Sequence, residues 1–290
     1  MIRALLWASR PKTLPAAVAP VVAGSALAWR LTGGFSWLLA CCTLLSTVAL
    51  QIATNYFNDA VDARKGADTA ARLGPRRATA EGLVPLRAML GAGGVMLLLA
   101  VLFSLPMVAA RGWPVVGIGV VSLFFTYGYT GGPLPLAYHG LGEIFVILFF
   151  GLVAVAGTVF VQTGMWRPEA LLLGAQIGML STVLIAVNNL RDRVEDAQSN
   201  KRTLAVRFGE CFAKVEIAVL CLGPYGLGWG WSRFGLGDAL QSTLAAAVLG
   251  AAVAAGVARA QPGRVYNKFL AMAALHLVLW TALLGWGLLR

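Results

Sequence analysis

Apolar runs of about twenty residues alternate with short polar connections along nearly the whole of this chain. A window of about 19 residues, the length of a helix that crosses hydrocarbon, isolates nine segments. They are 14–31, 36–57, 86–110, 113–130, 140–163, 170–190, 211–230, 239–258 and 268–289. At 1.5 Å per residue each is about long enough to span a core of ~30 Å. The pattern predicts an all-α integral membrane protein of nine spans, organised as one domain over 1–290. Two connections depart from it. Residues 58–85 and 191–210 are long, polar and rich in both signs of charge, and long polar loops in a compact bundle are usually functional.

Composition agrees with the pattern. The chain is 59% hydrophobic and 12% charged, where a soluble domain carries roughly 25% charged residues, so lipid is the solvent for most of it. The first apolar run follows a basic start but lacks a small-residue cleavage site, and is read as the first span. The net charge of +11 does not point to nucleic acid, because the basic residues sit in short loops between apolar runs. With the N-terminus placed inside, 18 of the 23 Lys and Arg fall on the inner side, leaving Arg30, Arg111, Arg167, Arg233 and Arg290 outside. That asymmetry predicts a cytoplasmic N-terminus, with residues 58–85, 191–210 and 259–267 as cytoplasmic caps and Arg290 facing outward. The expected location is the cytoplasmic membrane of a bacterial cell. Cys41, Cys42, Cys211 and Cys221 lie in or beside apolar runs with no His-rich partner segment, which argues against zinc or disulfides.

The two unusual connections share a motif. Asn58 and Asp62 stand four apart at the start of the first, Asn188 and Asp192 four apart at the start of the second, 130 residues on. On a helix, positions i and i+4 share a face, so each segment presents an amide beside a carboxylate, and Asp196 extends the second face by a turn. Carboxylates at membrane depth cost several kcal/mol and mark function. An all-oxygen set without His or Cys suits Mg²⁺, which binds through one or two carboxylates, waters and substrate phosphate oxygens. Two facing clusters would hold metals on both sides of a diphosphate, while Lys65, Arg72, Arg77, Lys201 and Arg202 neutralise the remaining charge. The plain alternative, solvated helix-capping Asx residues, accounts for one motif but not for two matched ones, each followed by a basic run.

The chemistry that fits these parts is heterolysis of an allylic diphosphate. Cations and Mg²⁺ stabilise the leaving group, a dry cavity protects the carbocation, and aromatic faces stabilise it. Tyr127, Tyr129, Tyr138, Phe124, Phe125, Phe149 and Phe150 are the candidate aromatics, with ordinary packing as the alternative for each. Glu143 is a further carboxylate at membrane depth, able to orient a phosphate-binding cation or to deprotonate an acceptor. His139 stands near it in a Pro/Gly-rich turn, and His276 has no assigned role.

At these residues the sequence resembles the UbiA-type intramembrane aromatic prenyltransferases over essentially its whole length. Asn58-Asp59-x-x-Asp62 resembles the family's first signature, and Lys65-Gly66-x-Asp68 is similar to its naphthoate branch. Asn188-Asn189-x-Arg191-Asp192, with Lys201-Arg202-Thr203-Leu204-Ala205-Val206-Arg207 after it, resembles the second signature of that branch. Ser9-Arg10-Pro11-Lys12-Thr13-Leu14-Pro15 and Gly140-Leu141-Gly142-Glu143 match as well. Asn200 replaces the glycine usual before the lysine, a change that bears on the loop's backbone because only Gly takes positive φ cheaply and Asn is next best.

The resemblance implies a nine-helix bundle around a central cavity and a Mg²⁺-dependent transfer of a polyprenyl group from its diphosphate to 1,4-dihydroxy-2-naphthoate with loss of CO₂. Two Mg²⁺ ions, replaceable by Mn²⁺, would bridge the diphosphate. Asp59, Asp62, Asp68, Asp192 and Asp196 would serve the metals, with Asn58 and Asn188 beside them. Lys65, Lys201 and Arg202 would contact phosphate, and Asp62, Asp192, Lys65 and Lys201 form the expected catalytic set. Arg10 and Lys12 are assigned to the acceptor or the diphosphate, with topogenic charge as the alternative. Partners are the two substrates and membrane lipid, with no nucleic acid and no obligate protein. The alternatives are a related enzyme using 4-hydroxybenzoate or homogentisate, and a membrane transporter. The transporter reading fits poorly because the acidic residues lie at one membrane face rather than near the midplane.

Overall fold

A computed structural model describes residues 1–66, 73, 74, 77–133 and 135–290; Asp68 and Arg72 therefore lie outside the described residues. All regular structure among these is helical. The long elements are α1 (Ile2–Ala8), α2 (Pro15–Thr32), α3 (Trp37–Arg64), α4 (Leu86–Arg111) and α5 (Trp113–Gly128). They continue with α6 (Gly142–Thr163), α7 (Pro168–Arg191), α8 (Arg193–Gln198), α9 (Leu204–Leu227), α10 (Gly237–Arg259) and α11 (Tyr266–Leu288). Every apolar segment expected from the sequence falls on helix. Among the described residues six helices, α3, α4, α6, α7, α10 and α11, are long and apolar enough to cross a bilayer, and α1 with α2 makes a seventh if the bent pair is one span. Helix α5 has only 16 residues, and α9 carries Arg207, Glu210, Lys214 and Glu216.

The polar stretches are less loop-like than their composition suggests. Helix α3 runs on to Arg64, so Asn58 and Asp62 are helical. Helix α9 begins at Leu204, with a kink at Gly209 (φ 85°), rather than at 211. Asn200 takes a left-handed φ of 57°, so the chain makes the turn that glycine would make and Asn supplies it at modest cost. At the other end of the chain Arg10 is left-handed too (φ 51°). Pro11 disfavours the α conformation for the residue before it; the 53° bend lies further on, between the stretch Ile2–Thr13 and α2.

Helix α7 is the central post. Buried residues occupy 72% of its apolar stretch, against 17% for α4 at the periphery. Leu173, Ile177, Leu180, Val187 and Leu190 of α7 pack with Ile217 of α9, with Leu277, Trp280 and Leu284 of α11, and with Leu27 of α2. The apolar effect does not hold helices together in lipid, so close approach of small residues must. Gly151 provides it: a Cβ there would stand 2.3 Å from the Gly174 carbonyl oxygen and 2.7 Å from the Gly178 Cα. Helix α6 widens into a π-turn over Ile147–Val153 at this contact, which turns Phe149 and Phe150 toward the interior.

Several hydroxyls inside the bundle are satisfied within their own helix, as a bilayer favours. Thr43, Thr47, Thr54, Thr126, Thr158, Thr182 and Thr281 each donate to the carbonyl four residues back. Arg111 closes the end of α6 by donating to the carbonyls of Val161 and Gln162, both at 2.8 Å.

Candidate active site

A cavity of about 490 Å³ lies between α2, α3, α5, α6 and α7. Helix α3 gives it a polar wall. Thr43, Ser46, Thr47, Gln51, Thr54, Asn55, Asn58 and Asp62 recur at spacings of three and four, which keeps them on one helical face. Facing them, α6 contributes Phe145, Phe149, Phe150, Val153 and Val161. Phe125, Phe145 and Phe149 contact one another with ring centroids 4.2–5.3 Å apart. One wall of the cavity thus offers amides and hydroxyls, and the other an aromatic and aliphatic surface.

Both aspartate motifs open into this volume. Asn58, Asp62, Asn188, Asp192 and Asp196 line it together with Arg10, Lys12, Arg77, Glu143 and Lys201. Asp62 is buried and doubly held, by Tyr138 Oη donating to Oδ1 at 2.9 Å and by Arg77 Nη2 at 3.1 Å from Oδ2. Asn58 accepts from the Thr130 hydroxyl. Asp192 ends α7, where the backbone leaves the helix (φ −93°, ψ 7°). Both of its oxygens receive Arg191, from Nε and Nη2 at 2.7 Å each, in the two-pronged geometry that makes Arg–carboxylate pairs strong. Lys201 Nζ stands 3.7 Å from Asp196. Glu143 is buried, accepts from Asn189 Nδ2 at 2.7 Å, and leaves Oε2 without a hydrogen bond among the described residues.

Among the described residues, the cavity lining does not include Asp59, Lys65, Tyr127, Tyr138 or Arg202. Asp59 faces the following loop, accepting the backbone N–H groups of Ala78 at 3.1 Å and Thr79 at 2.8 Å, so it anchors the segment that carries Arg77. Lys65 donates to the Thr130 carbonyl at 3.0 Å, with its ammonium 3.9 Å from the centre of the Tyr138 ring. Loss of hydration there lowers the Lys65 pKa, while the charge of Asp62 acts to raise it. Tyr138 therefore stands one contact behind the wall, between Lys65 and Asp62. The side chain of Arg202 is exposed; its N–H donates to the Tyr138 carbonyl and its own carbonyl accepts from Arg207. Tyr127 packs edge-on against Phe57, and Phe124 is exposed. His139 sits at the end of a single turn of 3₁₀ helix, and His276 meets Tyr225 Oη at 2.8 Å, its Nε2 facing the α9 core rather than the cavity.

Three residues in this network receive no role from sequence: Asn189, Arg191 and Asn267. The first two enter there only as members of the second signature. Asn267 bears no visible signal beyond being an amide at the start of a span. The Ser/Thr/Gln stripe on α3 does have one, its three-to-four spacing inside an apolar run.

The donor set is hard and all oxygen on both sides of the cavity. Among the described residues no three Asp, Glu, His or Cys side chains gather closely enough to enclose an ion. The all-oxygen donor chemistry suits Mg²⁺, which takes one or two carboxylates at a time and draws its remaining ligands from water and phosphate.

Comparison with known proteins agrees with this geometry. A family model described as the UbiA prenyltransferase family matches residues 17–278. The chain is 35% identical over 227 residues to the 1,4-dihydroxy-2-naphthoate octaprenyltransferase of Haemophilus influenzae, covering 73% of each chain. It is 37% identical over 227 residues to the enzyme of that name from Escherichia coli, covering 76% of this chain and 73% of that one. Among solved structures, a UbiA homolog from Aeropyrum pernix in its apo form superposes with a TM-score of 0.70 at 17% identity, over 93% of this chain and 96% of that one. A UbiA homolog from Archaeoglobus fulgidus bound to GPP and Mg²⁺ superposes with a TM-score of 0.63 at 14% identity, over 97% and 99%. The all-helical membrane bundle, the paired aspartate motifs in one cavity and the family match over most of the chain lead to one assignment: this protein belongs to the UbiA prenyltransferase family.

Proposed function

We propose that this enzyme transfers a polyprenyl group from polyprenyl diphosphate to 1,4-dihydroxy-2-naphthoate with loss of CO₂, giving demethylmenaquinol. The observation that carries the reading is the meeting of Asn58, Asp62, Asn188, Asp192 and Asp196 in one cavity, beside Arg77 and Lys201 and opposite an aromatic wall. The naphthoate is favoured by the relatives of that name at 35% and 37% identity.

Arg77 and Lys201 meet the phosphate oxygens and stabilise charge as the allylic C–O bond breaks, its electron pair leaving with diphosphate. Asp62 on one motif and Asp192 with Asp196 on the other would hold Mg²⁺, replaceable by Mn²⁺, which would supply the rest of that neutralisation. Phe125, Phe145 and Phe149 exclude water from the allylic cation and face it with their π-clouds. The ring carbon that carries the carboxylate then forms the new C–C bond. The C–CO₂ bond breaks and returns its electron pair to the ring, so no ring proton has to be removed. Arg10 and Lys12 line the end of the cavity where α1 meets α2 and orient the acceptor. A single flexible Lys suits a carboxylate that must depart better than a rigid bidentate clamp does.

The orientation that follows places the N-terminus and both aspartate segments on the cytoplasmic side of a bacterial cytoplasmic membrane, with nine crossings once α2, α5 and α9 are counted. Cysteine labelling from each face on a cysteine-free background tests it, and labelling near Asp68 from the outer face would contradict it. The function is tested by supplying purified protein with one prenyl diphosphate and a panel of acceptors. Consumption of the naphthoate with poor use of 4-hydroxybenzoate and homogentisate is expected; the reverse preference would move the enzyme to another branch.

A further inference from the structure

Asn267, which no motif marks and which stands behind the cavity wall, joins the two aspartate segments. It is the second residue of α11, and Leu270, one turn further on, lines the cavity. Its Oδ1 accepts from Arg191 Nη1 at 2.7 Å, and its Nδ2 donates to the Leu73 carbonyl at 3.2 Å. The amide can be oriented in only one way, because a guanidinium only donates and a carbonyl oxygen only accepts. Arg191 is at the same time bidentate on Asp192, its side chain 1% exposed. Leu73 lies four residues before Arg77, which reaches Asp62. Hydrogen bonds therefore lead from Asp192 through Arg191 and Asn267 to the Leu73 carbonyl, which lies in the same connection between α3 and α4 as Arg77.

We propose that Asn267 is a positioning residue that couples the two aspartate segments, so that both sides of the diphosphate site are set together. The proposal rests on the prenyl-transfer reading above. Only a side chain with a donor and an acceptor a single amide apart can make both contacts. Asp at this position keeps Arg191 and sets a negative charge against the Leu73 carbonyl. Leu, of similar volume, makes neither contact and leaves a buried guanidinium N–H unsatisfied.

The test uses full-length wild type, Asn267→Asp and Asn267→Leu in lipid nanodiscs. It reads thermal melting, steady-state kinetics, and the calorimetric Kd for a prenyl thiolodiphosphate, a slow-reacting analogue of the donor, with Mg²⁺. Both variants are expected to bind the analogue about tenfold more weakly and to need about tenfold more prenyl diphosphate for half-maximal rate, the scale of the one hydrogen bond to the Leu73 carbonyl that both lose. The KM for the aromatic acceptor stays near wild type. Asn267→Asp melts close to wild type because Arg191 keeps its partner, which separates mispositioning from unfolding. Unchanged analogue affinity in both variants overturns the proposal, as does an equal loss for donor and acceptor. A wild-type protein that binds no analogue refutes the function reading itself, and the proposal with it.

Discussion

The two aspartate segments share a sequence pattern and are held in different ways. In the first, α3 continues unbroken past Asp62, and the carboxylate is engaged from afar, by Arg77 fifteen residues on and Tyr138 seventy-six residues on. In the second, the helix ends at Asp192 and its own neighbour, Arg191, clamps it. The first carboxylate depends on a loop being in place; the second carries its partner beside it. The same Asn-x-x-x-Asp spacing thus yields one carboxylate held by residues from other segments and one held by its own neighbour.

The largest effects should come from removing either carboxylate. Asp62→Asn and Asp192→Asn are each expected to lower kcat by about a hundredfold or more, because each takes away an anionic group that would hold the cation neutralising the departing diphosphate. Steady-state rates in nanodiscs check this, and a near-normal rate in one variant would mean that its segment only shapes the cavity.

The arginines divide the two segments next. Arg191→Ala strands a buried carboxylate and should destabilise the fold by about 3–5 kcal/mol, visible as a clear drop in melting temperature. Arg77→Ala also uncovers a buried carboxylate but leaves Asp62 its hydrogen bond from Tyr138, so melting should fall by less while the KM for prenyl diphosphate rises. Equal melting losses would erase the contrast between a carboxylate held by its neighbour and one held from afar. The smallest effect is expected of Tyr138→Phe. It removes one hydrogen bond to Asp62 but keeps the ring beneath Lys65, so a severalfold loss in kcat/KM is anticipated. An effect as large as that of Arg77→Ala would place the tyrosine hydroxyl on the substrate instead.

Much of this was legible in the sequence, for physical reasons that can be named. Lipid forces apolar length onto every span, so the long apolar helices could be located, and the cost of carboxylates at membrane depth made Asp62, Asp192 and Asp196 conspicuous. Helix ends were harder to place. Polar residues 58–64 read as loop because a hydropathy window sees side chains, whereas α3 continues there as helix around buried groups. Asp59 shows the limit of motif reading: it sits between two site residues, yet helical geometry points it at the backbone of Ala78 and Thr79. Asn189 and Asn267 act through partners far away in sequence, Glu143 and Leu73, and local spacing encodes neither contact. Asn200 went the other way, since its left-handed tolerance could be anticipated from its chemistry alone.

The central claim is that prenyl transfer and loss of the carboxylate are one reaction in this cavity. Acceptor labelled at the carboxyl carbon, incubated with purified enzyme, prenyl diphosphate and Mg²⁺, measures both at once. The account predicts one labelled CO₂ for each prenylated product, with both lost on chelation and in Asp62→Asn. Prenylated product that keeps the label, or CO₂ released without prenyl diphosphate, would contradict it.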